Sequence, residues 1–200
     1  MKYILSLFIS VVISIGAFSQ NAMNVADSAG KRTLWDTVKT PNGALLLFDA
    51  PYKRAGQDST EDLTITIAKE RAHKRPAFIA IIVPNNVIHA SGILMQFSKT
   101  YKDENGKPFV QMERSDPLKV PFERCDDDRK TCTVRIAAGY IVDPQTDERT
   151  DIFEKFMEFD HVYFMLMYPD GSHKSVAVPL DSFKEQYKSI AAEDSPAWHE

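Results

Sequence analysis

The chain has 200 residues, 44% of them hydrophobic, with 24 Lys and Arg against 28 Asp and Glu for a formal net charge of −4. This mildly acidic balance excludes a general nucleic-acid binder, which needs a basic patch or stripe. No low-complexity tract, internal repeat or second membrane-length apolar run interrupts the chain.

Residues 1–19 read as a secretory signal peptide. Lys2 supplies a positive start, Tyr3 to Phe18 is apolar apart from small Ser and Gly, and Ala17-Phe18-Ser19 places small residues at the −3 and −1 positions, so cleavage is expected before Gln20. The apolar run of about 16 residues is shorter than the roughly 20 that span a bilayer. No basic stop-transfer cluster and no lipid-anchoring cysteine follows it. The expectation is an exported chain with no transmembrane span after cleavage, periplasmic, on the cell surface or secreted. Losing Lys2 takes the charge from −4 to −5. Residues 20–33 are small and polar and read as a flexible leader. Residues 34–190 then fit a single β-rich domain by the size prior, with 191–200 as a polar tail.

Within that domain Leu45 to Phe48 is a short apolar run and a strand, and Ala50 to Glu61, with Pro51, Gly56, Asp58 and Ser59, reads as a loop. Leu63-Thr-Ile-Thr-Ile67 alternates and predicts a half-buried strand with Leu63, Ile65 and Ile67 inward. Phe78 to Val83 is continuously apolar and reads as a strand buried on both faces, ended by Pro84. Ile93 to Phe97 and Pro108 to Met112 are strands around a turn at Lys102 to Lys107, where Asn105-Gly106 is the hairpin signal. Thr133 to Ala137 alternates with Val134 and Ile136 inward. Asp143 to Thr150 is polar loop. Ile152, Phe156 and Phe159 share one face of a short helix over 151–159. Val162 to Tyr168 and Lys174 to Val178 flank Asp170-Gly171, which predicts a hairpin with a type I′ turn. Ser182 and Glu185 fit a capping box for a closing helix of about two turns, with Phe183, Tyr187 and Ile190 on its apolar face. Many short strands with one or two short helices near the C-terminus predict a mainly β, antiparallel fold, sandwich-like or a partly closed barrel.

The two cysteines, Cys125 and Cys132, stand seven positions apart. In an exported chain they are expected to pair, and closing so small a loop stabilises the fold by roughly 2–3 kcal/mol in the chain-entropy model. Their spacing lacks the C-x-x-C arrangement of redox catalysts, so the bridge reads as structural.

No catalytic constellation is visible: G-x-S-x-G, H-E-x-x-H and the P-loop are all absent, and no enzyme, cofactor or metal centre is predicted. Asp126-Asp127-Asp128 starts like a calcium loop, but the sixth and twelfth positions are Thr131 and Ala137 instead of Gly and Glu. A solvated turn held by the disulfide is the plainer reading. His161 and His173 flank the strong hairpin and face each other if it aligns them, yet two ligands make a weak zinc site. The basic cluster Lys69-Glu-Arg-Ala-His-Lys-Arg75 offers Lys69, Arg71, Lys74 and Arg75 for contact with anionic lipid headgroups, lipopolysaccharide or sulfated glycans. The alternative for the same cluster is a solvated loop between strands. Met165 and Met167 either line an adaptable apolar pocket or belong to ordinary core.

Three stretches together resemble the invasion-associated locus B family of exported bacterial proteins. They are Ile81 to Met95 (IIVPNNVIHASGILM), a proline-led apolar segment followed by a strand; Val120-Pro-Phe-Glu-Arg-Cys125 through Cys132; and Val176-Ala-Val-Pro-Leu-Asp-Ser-Phe183. Their order matches the family over roughly residues 63–190. Trp35 lacks the neighbouring cysteine pair that family members often carry, so the N-terminal strand must hold by packing and hydrogen bonds. The resemblance implies a β-rich periplasmic or surface protein linked to invasion of host cells, with no known enzymatic activity. The partner implied is an envelope or host-surface protein, lipid or glycan. A periplasmic chaperone-like or small-ligand carrier is the alternative reading.

Overall fold

The computed structural model describes residues 35–40, 43–70, 73–114, 116–142 and 147–193. The expected signal peptide, the leader, Arg71 and residues 194–200 lie outside the described residues. Among the described residues thirteen strands and two α-helices follow in chain order: β1 Asp36–Thr40, β2 Gly43–Lys53, β3 Thr60–Glu70, β4 Pro76–Pro84, β5 Ile93–Lys102, β6 Pro108–Met112, β7 Leu118–Val120, β8 Arg124–Asp126, β9 Thr131–Ala137, β10 Tyr140–Val142, β11 Arg149–Asp151, α1 Ile152–Glu158, β12 His161–Met167, β13 His173–Pro179 and α2 Asp181–Glu193.

The strands form two main antiparallel sheets. One runs β1-β2-β3-β4-β9-β8 and the other β13-β12-β5-β6, with β7 beside β5; β10 and β11 make a small separate ribbon. Neither main sheet closes, so the fold is sandwich-like and the barrel alternative is set aside. The inward faces follow the period of two that a pleated strand imposes. Leu63, Ile65 and Ile67 from β3, Ile79, Ile81 and Val83 from β4, and Val134 and Ile136 from β9 are buried, facing Ile93, Met95, Phe97, Val162, Phe164, Leu166 and Val178 of the other sheet. β4 is therefore buried on one face only: Phe78, Ala80 and Ile82 on its other face are half-buried.

Three sequence expectations shift. β2 runs on through Ala50, Pro51 and Tyr52 to Lys53, paired with Thr60 to Leu63 of β3, where a loop was expected. Ladder pairing and the burial of Ala50 and Tyr52 outweigh the local turn chemistry of Pro51. The Asp170-Gly171 connection is also not type I′, since only Gly171 has positive φ. Tyr168 N–H donates to Ser172 and Gly171 N–H donates to Tyr168, the three-residue loop ending in a left-handed glycine. Asp103 to Lys107 repeats the same pattern around Gly106. Finally, α2 starts at Asp181 and runs 13 residues, so Ser182 lies inside the helix and not at its cap.

An aromatic cluster joins the helices to the sandwich. Trp35 is fully buried, 5.2 Å from Phe48 and 5.0 Å from Phe183 by ring centroid, and its indole N–H donates to the carbonyl of Pro179. Phe156 of α1 packs edge-on against Phe97 and Phe183. Offset and edge-to-face rings such as these add about 0.5–1.5 kcal/mol per pair beyond area burial. Thr37 of β1 donates to Gln186 of α2, tying the edge strand to the helix. The packing and hydrogen bonds that hold β1 thus stand where no cysteine does.

Candidate functional site

The loops after β2, β4, β8 and β12 meet at one end of the sandwich, because Lys53↔Thr60, Pro84↔Thr131 and Met167↔His173 are terminal pairs of their ladders. Hydrogen bonds tie these loops together. Asn85 N–H donates to Lys130 and Ile88 N–H to Met167, the Asn85 side chain donates to Asp127 and the Asn86 side chain to Glu61 at 2.7 Å.

The disulfide sits in this pole. Cys125 and Cys132 are direct partners across the β8–β9 ladder, with Cα atoms 4.0 Å apart and the sulfurs bonded. Inside the loop Asp126 accepts from the backbone N–H groups of Asp128 and Arg129 and pairs with Arg124. The Arg129 amide, then Arg124, hold its carboxyl below the usual range. The acidic triplet is thus a hydrogen-bonded turn. Beside it, His89 opens a short 3-10 turn, His89–Ser91. Its ring and the two sulfurs place their ligand atoms within 4.8 Å of one another, the one such group of His, Cys, Asp or Glu among the described residues.

A second cluster lies across the pole. Tyr52 and Tyr168 are buried, with their hydroxyls 3.4 Å apart and that of Tyr168 3.5 Å from Glu61. Burial, first, and the mutual contact push the Tyr52 phenol above its ordinary value; burial leads the same upward shift at Tyr168. The Arg54 guanidinium stacks 3.8 Å over the Tyr168 ring and bonds Asp170 at 2.8 Å, whose carboxyl the Ser172 hydroxyl lowers. Glu61 and the tyrosines brace three loops against each other.

The basic cluster does not stay together. Lys69 is only 3% exposed, and its ammonium donates to the carbonyls of Glu70 and His73. Arg75 bonds both carboxylate oxygens of Asp151 and stacks on Tyr140 at 4.1 Å. Lys74 is exposed, and Arg71 lies outside the described residues. The signal for Lys69 was present: it continues the odd-numbered inward face of Leu63, Ile65 and Ile67, because β3 runs to Glu70. His161 and His173 do not face each other. His161 pairs with Pro179 and His173 with Met167, at opposite ends of the hairpin. Val162, Phe164 and Leu166 fill the core with no exposed surface, while Met165 and Met167 lie half-buried on the other face of β12.

One feature went unread in the sequence. β6 is an edge strand whose five residues are all exposed. Tyr101 stacks on Phe109 at 5.7 Å, and Tyr101, Phe109, Val110 and Met112 are 43%, 47%, 53% and 37% exposed. This arm of β5 and β6 keeps apolar side chains in water on both of its faces. An adjacent hollow of about 210 Å³ is lined by Lys99, Tyr101, Gln111, Met112, Glu113, Glu158 and Phe159. Alternation alone does not reveal such an arm, since the second layer that leaves it uncovered is a tertiary fact.

The fold and pole define an open antiparallel β-sandwich with one cross-strand disulfide. Comparison with protein-family models, curated proteins and solved structures finds no match in any of the three. Among the described residues no helix is long and apolar enough to cross a membrane.

Proposed function

We propose that the chain is an exported, non-enzymatic envelope module that works by contact with a macromolecular partner, the role implied by its resemblance to invasion-associated locus B proteins. The observation that carries this reading is the β5–β6 arm. Exposed aromatic and aliphatic side chains on an open sheet edge are costly to leave in water and mark interaction surfaces. The disulfide supports export, because such bonds persist in oxidising compartments. The contact surface moves from the basic cluster to the arm, because Lys69 is buried and Arg75 is ion-paired. The carrier reading draws less support, since Val162, Phe164 and Leu166 on the inward face of β12 are packed into the core.

The test has two parts. Fractionation of cells expressing the full chain, with non-reducing mass analysis, is expected to place the oxidised protein outside the cytoplasm. Crosslinking in intact cells is then compared between the parent chain and Phe109→Asp with Val110→Asp. Loss of the crosslinked species in the variant supports the arm. A cytoplasmic chain with both thiols alkylatable, or crosslinks unchanged by the substitutions, removes the reading.

A further inference from the structure

We propose that the Cys125–Cys132 pair and His89 form a redox-gated site for a thiophilic divalent cation such as zinc: closed while the disulfide stands, open once it is reduced. The argument begins with the backbone. Cys125 and Cys132 are held opposite each other by the β8–β9 ladder, and β9 is itself held by seven paired residues of β4, including Val83↔Cys132. Cleaving the sulfur–sulfur bond therefore leaves both side chains on one face, facing the same space. His89 is brought there from a different loop, fixed by Ile88 N–H to Met167 and Gly92 N–H to His89.

The donor chemistry suits the cation. Two thiolates and an imidazole are the soft and borderline ligands of zinc. Tetrahedral zinc holds such atoms about 3.5–3.8 Å apart, and the three ligand atoms here already lie within 4.8 Å. His89 Nε2 sits 3.1 Å from the carbonyl oxygen of Asn85. A carbonyl only accepts, so Nε2 carries the proton and Nδ1 of the neutral ring keeps its lone pair. A carbonyl partner of this kind fixes the tautomer of metal-binding histidines. Cys132 is buried, Cys125 half-buried and His89 exposed, which leaves the fourth position to water, as in open zinc sites.

The steps balance. A dithiol reductant transfers two electrons and two protons to the disulfide, giving two protein thiols and an oxidised cyclic dithiol. Zinc then displaces the two thiol protons, which leave to solvent, and takes the imidazole lone pair. Reoxidation of the bound thiolates by a second, less stable disulfide, which takes their two electrons and two protons from solvent to become two thiols, returns the bridge and releases the ion.

The experiment titrates Zn²⁺ into the purified exported chain against a chromophoric chelator, once oxidised and once reduced under anaerobic conditions with the reductant removed. Co²⁺ is used in parallel for its thiolate charge-transfer band. The expected result is one ion bound by the reduced chain and none by the oxidised chain. His89→Ala, which keeps both thiols, is expected to weaken the reduced-state affinity by about tenfold or more, since even indirect partners of metal ligands cost that much. Far-UV circular dichroism follows the fold throughout. Equal binding by His89→Ala overturns the three-ligand site, absence of binding by the reduced chain overturns it altogether, and so does unfolding on reduction, because the site requires the β4–β9–β8 ladder to survive.

Discussion

Arg75 and Asp151, 76 positions apart in sequence, meet through two hydrogen bonds of 2.6 and 2.7 Å. Asp151 also accepts the Glu154 N–H at 2.8 Å and so caps α1. One carboxylate thereby fixes the start of a helix to the β3–β4 connection. Asp151→Ala is expected to destabilise the chain by about 2–3 kcal/mol, combining a lost cap with a stranded guanidinium. Asp151→Asn keeps a capping oxygen and should lose about half as much. Urea unfolding of the two variants separates the terms.

Trp35 supplies the stabilisation that a second disulfide does not. Its ring is fully buried among Phe48, Phe156 and Phe183. Trp35→Ala should cost about 3–5 kcal/mol, and Trp35→Phe less, since it keeps most of the ring packing and loses the bond to Pro179. Guanidinium denaturation followed by circular dichroism reads both.

Glycine positions separate strain from space. Gly92 has φ 62°, and a Cβ there would stand 2.3 Å from the carbonyl oxygen of Val120. Gly106 has φ 77° with nothing within 4 Å of the same position. Gly106→Ala should cost about 1 kcal/mol, the left-handed penalty alone. Gly92→Ala should cost at least about 2 kcal/mol, because β7 must also move. Thermal unfolding of the pair gives the order, and equal shifts would contradict the close approach.

Removing the bridge by Cys125→Ser with Cys132→Ser should cost about 2.5 kcal/mol through the denatured chain's regained freedom, with the secondary structure intact. Differential scanning calorimetry on the double variant and the parent measures the loss.

The buried tyrosine pair predicts an alkaline limit. Tyr52 and Tyr168 have raised folded-state values, so the folded state holds these protons more tightly than the unfolded state. Their contribution is complete below the ordinary tyrosine value of about 10 and falls as pH rises above it, when the unfolded chain ionises first. Ultraviolet titration should show these two tyrosines ionising only with unfolding. Tyr52→Phe removes one of the late transitions.

In the sequence β12 and β13 were named by the turn signal between them, while strand periodicity was enough to name β3 and β9, because a half-buried strand must alternate and these do. The helical face of Ile152, Phe156 and Phe159 was legible for the same reason, at a period of 3.6. Lys69 was placed in an exposed basic cluster, for anionic contact or as a solvated loop, although it keeps the inward parity of β3 and is buried. Composition was weighed there, but strand length decides burial. His89 gave no signal, since 36 residues separate it from Cys125 and only the β4–β5 loop brings it back to the bridge.

The sequence by itself determined which residues alternate, which turn and which two sulfurs pair, since these depend on neighbours along the chain. The tertiary structure alone decided that Arg75 is taken by Asp151, that β6 stands uncovered and that His89 reaches the cysteines. Those relations are set by which strands lie side by side, and sheet order is written in no local stretch of residues.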